Sequence, residues 1–111
     1  MQDEHGAFVA RYGGDEFILI YEGITREQAW GYAKELRKKV QDMAISFKES
    51  PVSNVVTITQ GICWDIPVKG NRMWDFLHTA DAMLYRTKQK QRNNYCLGNL
   101  KATEDKIIMS C

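Results

Sequence analysis

The sequence predicts an α+β domain, a mainly antiparallel sheet with helices packed on it. Three features carry this: two β-rich runs around a Gly-Gly turn near the start, two stretches of helical periodicity, and a β-branched run between those stretches. At 111 residues the chain can build one core and not two.

The elements follow in order. Ala7-Phe8-Val9-Ala10 leads through Arg11-Tyr12-Gly13-Gly14-Asp15-Glu16 into Phe17-Ile18-Leu19-Ile20-Tyr21, which reads as a hairpin. Its second run is apolar without alternation, as in a strand covered on both faces, and so is expected near the centre of its sheet. Thr25 with Gln28 has the form of a capping box. Ala29, Ala33, Leu36, Val40 and Met43 then recur at helical spacing, predicting a helix from about Thr25 to Ala44. Trp30 beside this stripe reads as core or interface packing, and Arg26, Glu27, Lys34, Glu35, Lys38 and Lys39 as a solvated face. Val55 to Thr59 is the most strand-like stretch, running out at Gly61. Asn71 suits the N-cap of a second helix to about Gln91, with Met73, Leu77, Ala80, Leu84 and Thr87 on its buried face and Trp74, Phe76 and Met83 widening it. Asn93 to Leu97 predicts a last short strand. The organisation expected is one partial domain over 1–98 and a loosely docked tail over 99–111.

Composition narrows the function. A net charge of +1 gives no general attraction to nucleic acid or to a membrane surface, so neither partner is expected and any phosphate recognition must be local. Cys63, Cys96 and Cys111 are odd in number and widely spaced, which argues against a disulfide framework or a zinc site and for reduced thiols. No apolar run is long enough to cross a bilayer, and Met1 to His5 lack the basic start and apolar core of a signal peptide, so a cytoplasmic location is expected.

The hairpin carries the chemistry. Adjacent glycines let backbone approach a bulky phosphate, and exposed amides there can hold anionic oxygens. Asp15 and Glu16 follow at once, and hard divalent cations prefer carboxylate oxygens and bring nucleotide phosphates with them. A tight turn also favours Gly-Gly-Asp for geometry alone, so the residues by themselves leave both readings open.

The full string Arg11-Tyr12-Gly13-Gly14-Asp15-Glu16-Phe17 resembles the sequence that names the GGDEF family of diguanylate cyclases. Val56-Thr57-Ile58-Thr59-Gln60-Gly61-Ile62 is similar to the family's Val-Thr-x-Ser-x-Gly-Ile, with Thr59 where serine is usual. Ala80 to Lys88 resembles its Ala-Asp-x-Ala-Leu-Tyr-x-Ala-Lys helix, and Arg92-Asn93 its following Arg-Asn. The resemblance covers about residues 7 to 97 and implies a palm-like nucleotidyl-cyclase fold. It implies Asp15 and Glu16 as catalytic and metal-binding residues, with Mg²⁺ or Mn²⁺ as cofactor. Gly13, Gly14, Lys88 and Arg92 are the implied contacts to GTP, and the i, i+4 spacing of the two cations places them on one helical face. The implied reaction joins two GTP into cyclic di-GMP with loss of pyrophosphate, a step of bacterial second-messenger signalling that requires two domains face to face. A homodimer is therefore an expected partner, along with a sensory domain or a further N-terminal segment.

In this family a strand with a further metal-binding Asp, and two helices that read guanine, come before the hairpin. The residues ahead of Tyr12 match none of that segment, so the expected fold lacks the usual first strand and first helices. The family's inhibitory Arg-x-x-Asp would fall at Glu4 and Ala7, so no inhibitory site is expected. As an isolated piece the chain is expected to be inactive. The alternative is a catalytically silent nucleotide-binding or protein-interaction module.

Overall fold

The computed structural model describes residues 5–14, 16–43, 56–100 and 109–111. Strands β1 (Phe8–Gly13) and β2 (Glu16–Ile20) pair antiparallel as the expected hairpin. Helix α1 (Arg26–Asp42) follows, then β3 (Gln60–Cys63), α2 (Met73–Lys90), β4 (Tyr95–Gly98) and β5 (Met109–Ser110). The last three strands form a second sheet in the order β3-β4-β5. In it β3 and β4 run parallel, with α2 as the crossover such a pair requires, and β5 is antiparallel to β4. Mixed helix and strand is thus borne out, with one parallel pair, β3 and β4, in the second sheet.

Local chemistry explains α1. The Thr25 hydroxyl accepts from Gln28 N at 3.1 Å, and the Gln28 side chain accepts from Thr25 N at 2.8 Å, so the capping box is fully formed. The helix ends at Asp42, with Met43 at the C-cap and 63% exposed, so Met43 leaves the buried stripe assigned to it. Ala44 lies outside the described residues. Ala29 and Ala33 are buried, and Trp30 meets the Tyr95 ring edge-on at 4.6 Å, which places it in the packing.

Three expectations are corrected. First, β2 is not central: among the described residues it pairs with β1 alone, and Phe17 is 62% exposed. Second, the strand expected from Val55 to Thr59 begins at Gln60 instead. Its partner β4 starts at Tyr95, opposite Gln60, and the chain ahead of β4 is turning, so among the described residues Val56 to Thr59 have no strand to pair with. Val55 lies outside the described residues. Third, α2 starts one residue later than an Asn71 cap implies. Asn71 Oδ1 accepts from Val68 N at 2.7 Å in the preceding loop, while the Asp75 carboxylate accepts from Arg72 N at 2.7 Å. Local hydrogen bonding took Asn71 away from the helix end.

The core lies between α2 and the second sheet. Met83, Leu97, Thr87 and Cys96 are its largest fully buried side chains. The first turn of α2 overhangs it, leaving Met73 and Trp74 exposed against expectation. Gly61 decides how close helix and strand come. A Cβ there would collide with backbone atoms of Ala80 and Leu84, so only glycine fits this crossing.

The C-terminal end is fastened. Ser110 and Met109 pair with Leu97 and Gly98, and Cys96 is disulfide-bonded to Cys111. This corrects both the loosely docked tail and the three reduced thiols: antiparallel pairing of β5 brings together two cysteines 15 residues apart. Cys63 is free. Among the described residues no helix is long and apolar enough to cross a membrane.

Candidate functional site: the hairpin tip and the end of helix α2

At the tip, Gly13 pairs with Glu16, and a bulge shifts the register between Arg11 and Gly13. Gly14 takes φ +51°, which favours glycine. Gly13 does not: its φ is not in the left-handed region, and a Cβ built there meets nothing within 4 Å. The fold alone therefore has no need of glycine at position 13, and the open space beside it suits close approach by a ligand. Asp15 lies outside the described residues. Glu16 is exposed, and no hydrogen bond or ion pair engages its side chain among them.

One residue given no separate role from sequence shapes this turn. Arg11 donates from Nε and Nη2 to the Gly14 carbonyl at 2.9 and 2.7 Å, forking across the turn. The only signal for it in the sequence is its place at the head of the Arg-Tyr-Gly-Gly string.

The base of the hairpin is anchored on α1. His5, just before β1, stacks on Tyr32 at 4.0 Å between ring centroids, and His5 Nε2 lies 2.7 Å from Glu35 Oε2. Tyr21, just after β2, packs on the same Tyr32 ring at 5.3 Å. Both ends of the hairpin thus converge on one aromatic side chain.

Lys88 stands exposed in the last turn of α2, but the helix ends at Lys90 and Gln91 is extended, with φ −167° and ψ 130°. Arg92 lies beyond that break. The single helical face expected for Lys88 and Arg92 is therefore not formed, because the i, i+4 relation needs unbroken helix. Neither side chain has a hydrogen bond or ion pair with a described residue. No such bond links them to the described residues of the hairpin tip.

Among the described residues no three His, Cys, Asp or Glu side chains gather as a cation site would require. Glu16 alone is one carboxylate. The described residues alone therefore do not make up a complete Mg²⁺ or Mn²⁺ site.

Comparison with known proteins identifies the class. The GGDEF model, described as diguanylate cyclase, GGDEF domain, matches residues 2–94. The chain belongs to the GGDEF family. It is 34% identical over 89 residues to the bifunctional diguanylate cyclase/cyclic di-GMP phosphodiesterase MucR of Pseudomonas aeruginosa, covering 79% of this chain and 12% of that protein. To diguanylate cyclase A of Treponema denticola it is 30% identical, covering 79% of this chain and 23% of that one. To diguanylate cyclase DgcZ of Escherichia coli it is 31% identical, covering 77% and 27%. The chain therefore spans about a quarter or less of the length of these relatives. No solved structure matches it.

Proposed function

We propose that these residues form the phosphate-contacting part of a diguanylate cyclase catalytic domain, in a partial palm-like fold over 1–98. The observation that carries the reading is the hairpin tip, where Gly13 is glycine without any demand from the backbone and Gly14 and Glu16 stand open to solvent. Amides of Gly13 and Gly14 approach the nucleotide, and Lys88 and Arg92 meet its phosphates from the end of α2. Each pairs with negative charge through N–H donors, which are shorter and stronger toward an anion than toward a neutral acceptor. Asp15 and Glu16 are the carboxylates through which a divalent cation, when bound, would offset charge at the reacting phosphate. The substrate is GTP, the product cyclic di-GMP, and the pairing of two domains a part of the reaction, carried out in the cytoplasm.

In this reading the isolated 111 residues are expected not to turn over, since the residues ahead of Tyr12 match none of the family's upstream metal-binding and guanine-reading segment. The same incompleteness favours one second reading, a silent module that binds nucleotide without reaction. Calorimetry with GTP and with cyclic di-GMP, run beside chromatography of a GTP and Mg²⁺ incubation, separates them. GTP binding weakened in Arg92→Ala supports the phosphate assignment. Binding unaffected by loss of either Lys88 or Arg92 overturns it, and tight binding without product from a longer protein favours the module.

A further inference from the structure

Among the described residues Arg92 has no tether of its own. Its side chain is exposed and bonds no described residue, so the position of its guanidinium depends on the backbone beneath it. That backbone makes a sharp reversal. Between the end of α2 at Lys90 and the start of β4 at Tyr95 the chain must turn to send β4 parallel to β3, and it does so through extended Gln91 and left-handed Asn93, φ 57°. Asparagine is among the few residues that adopt this conformation readily. The Asn93 N–H lies outside the helix and would have no partner within the turn. Thr59 supplies one: its Oγ1 accepts from Asn93 N at 3.0 Å, across 34 residues of sequence.

The next residue adds to the stitch. Gln60 N donates to Asn94 O at 2.9 Å, and Gln60 O stands 3.3 Å from the hydroxyl of Thr87, the fully buried neighbour of Lys88. Residues 59 and 60 therefore hold the chain on both sides of the segment that presents the two cations. Of the contacts that residues 59 and 60 make to this segment, only that of Thr59 comes from its own side chain, so it can be deleted without altering the strand.

We propose that Thr59 is a positioning residue for Arg92, its hydroxyl fixing the turn from which the guanidinium meets a nucleotide phosphate. This rests on the reading of Arg92 as a phosphate contact. Valine at position 59 keeps the shape and removes the acceptor, leaving the Asn93 N–H unpaired; serine keeps the acceptor.

The test uses the 111-residue chain with inorganic pyrophosphate as probe, followed by calorimetry under conditions where circular dichroism shows each variant folded. Thr59→Val is expected to weaken pyrophosphate binding about threefold to tenfold, the effect of one hydrogen bond. Thr59→Ser is expected to restore it. In an Arg92→Ala background, Thr59→Val should change nothing further, since residues acting through one contact are not additive. A purely structural role would lower stability in both backgrounds without this dependence on Arg92. Binding that is absent in the unsubstituted chain, or indifferent to Arg92→Ala, overturns the phosphate reading and the proposal with it. Binding lost in Arg92→Ala but unchanged in Thr59→Val overturns the proposal alone. Hydrogen exchange of the unsubstituted chain gives a check that needs no variant: the Asn93 amide should be protected, and exchange as fast as in a free peptide overturns the proposal.

Discussion

Arg11 holds the carbonyl oxygen of Gly14 with two donors, Nε at 2.9 Å and Nη2 at 2.7 Å, closing the hairpin from three residues away. The planar fork of a guanidinium permits this, and a lysine ammonium cannot reproduce it. Arg11→Lys is expected to speed amide exchange at Gly14 and Glu16 while leaving α2 unchanged. Arg11→Ala should do the same and lower stability by about 1 kcal/mol or less, since the bonds are solvent-exposed. Unaltered exchange at the tip in both variants would show that the turn holds without the fork.

Gly61 is tightly packed. Its Cβ would strike the α2 backbone at Ala80 and Leu84, and backbone cannot rotate away as a side chain can. Gly61→Ala should therefore cost about 1–3 kcal/mol as an overpacked site, seen as a melting temperature lowered by at least about 5 °C. An unchanged melting temperature would mean that α2 and β3 are further apart than described.

The Cys96–Cys111 disulfide joins β4 to the chain end across 15 residues. Closing a loop of that size is worth up to about 3 kcal/mol in the chain-entropy account. Reductant should lower the melting temperature of the chain, and Cys111→Ser should show the lower value with or without reductant. Equal melting temperatures for oxidised and reduced protein would contradict this fastening.

Cys63 supplies a pH dependence. Burial first, then the neighbouring Asp65 charge, push its thiol from an ordinary 9.0 up to about 12, against a lowering hydrogen bond with Thr79. The folded pKa is raised, so the unfolded chain releases this proton first as pH climbs. The contribution is present below pH 9 and is lost between 9 and about 12. Iodoacetamide should modify Cys63 slowly in the folded chain at pH 8.5 and rapidly in urea. Fast modification of the folded chain would contradict the assignment.

What was legible in sequence was local. Thr25 and Gln28 settle the start of α1 between themselves, and the glycines of the hairpin announce a turn and a family at once. The parts that failed depend on contacts distant along the chain. Where β3 begins is decided by where β4 can pair with it, so the β-branched Val56 to Thr59 have no strand partner among the described residues. The single face for Lys88 and Arg92 fails at Gln91, where the helix stops. Cysteine spacing gave no hint of the Cys96–Cys111 pair, because only the β4–β5 register brings the two together. Thr59 stands where the family usually has serine, and its bond to Asn93 is set by the fold, since the two lie 34 residues apart.

The central claim is that the tip from Gly13 to Glu16, with Lys88 and Arg92, is the phosphate-contacting part of a cyclase. The most direct measurement is chromatography of the products formed from GTP and Mg²⁺ by the longest reading frame that contains these residues, beside the same protein carrying Glu16→Gln. Cyclic di-GMP from the first and none from the second is the expected result. A folded full-length protein that binds GTP and forms no cyclic di-GMP would contradict the account.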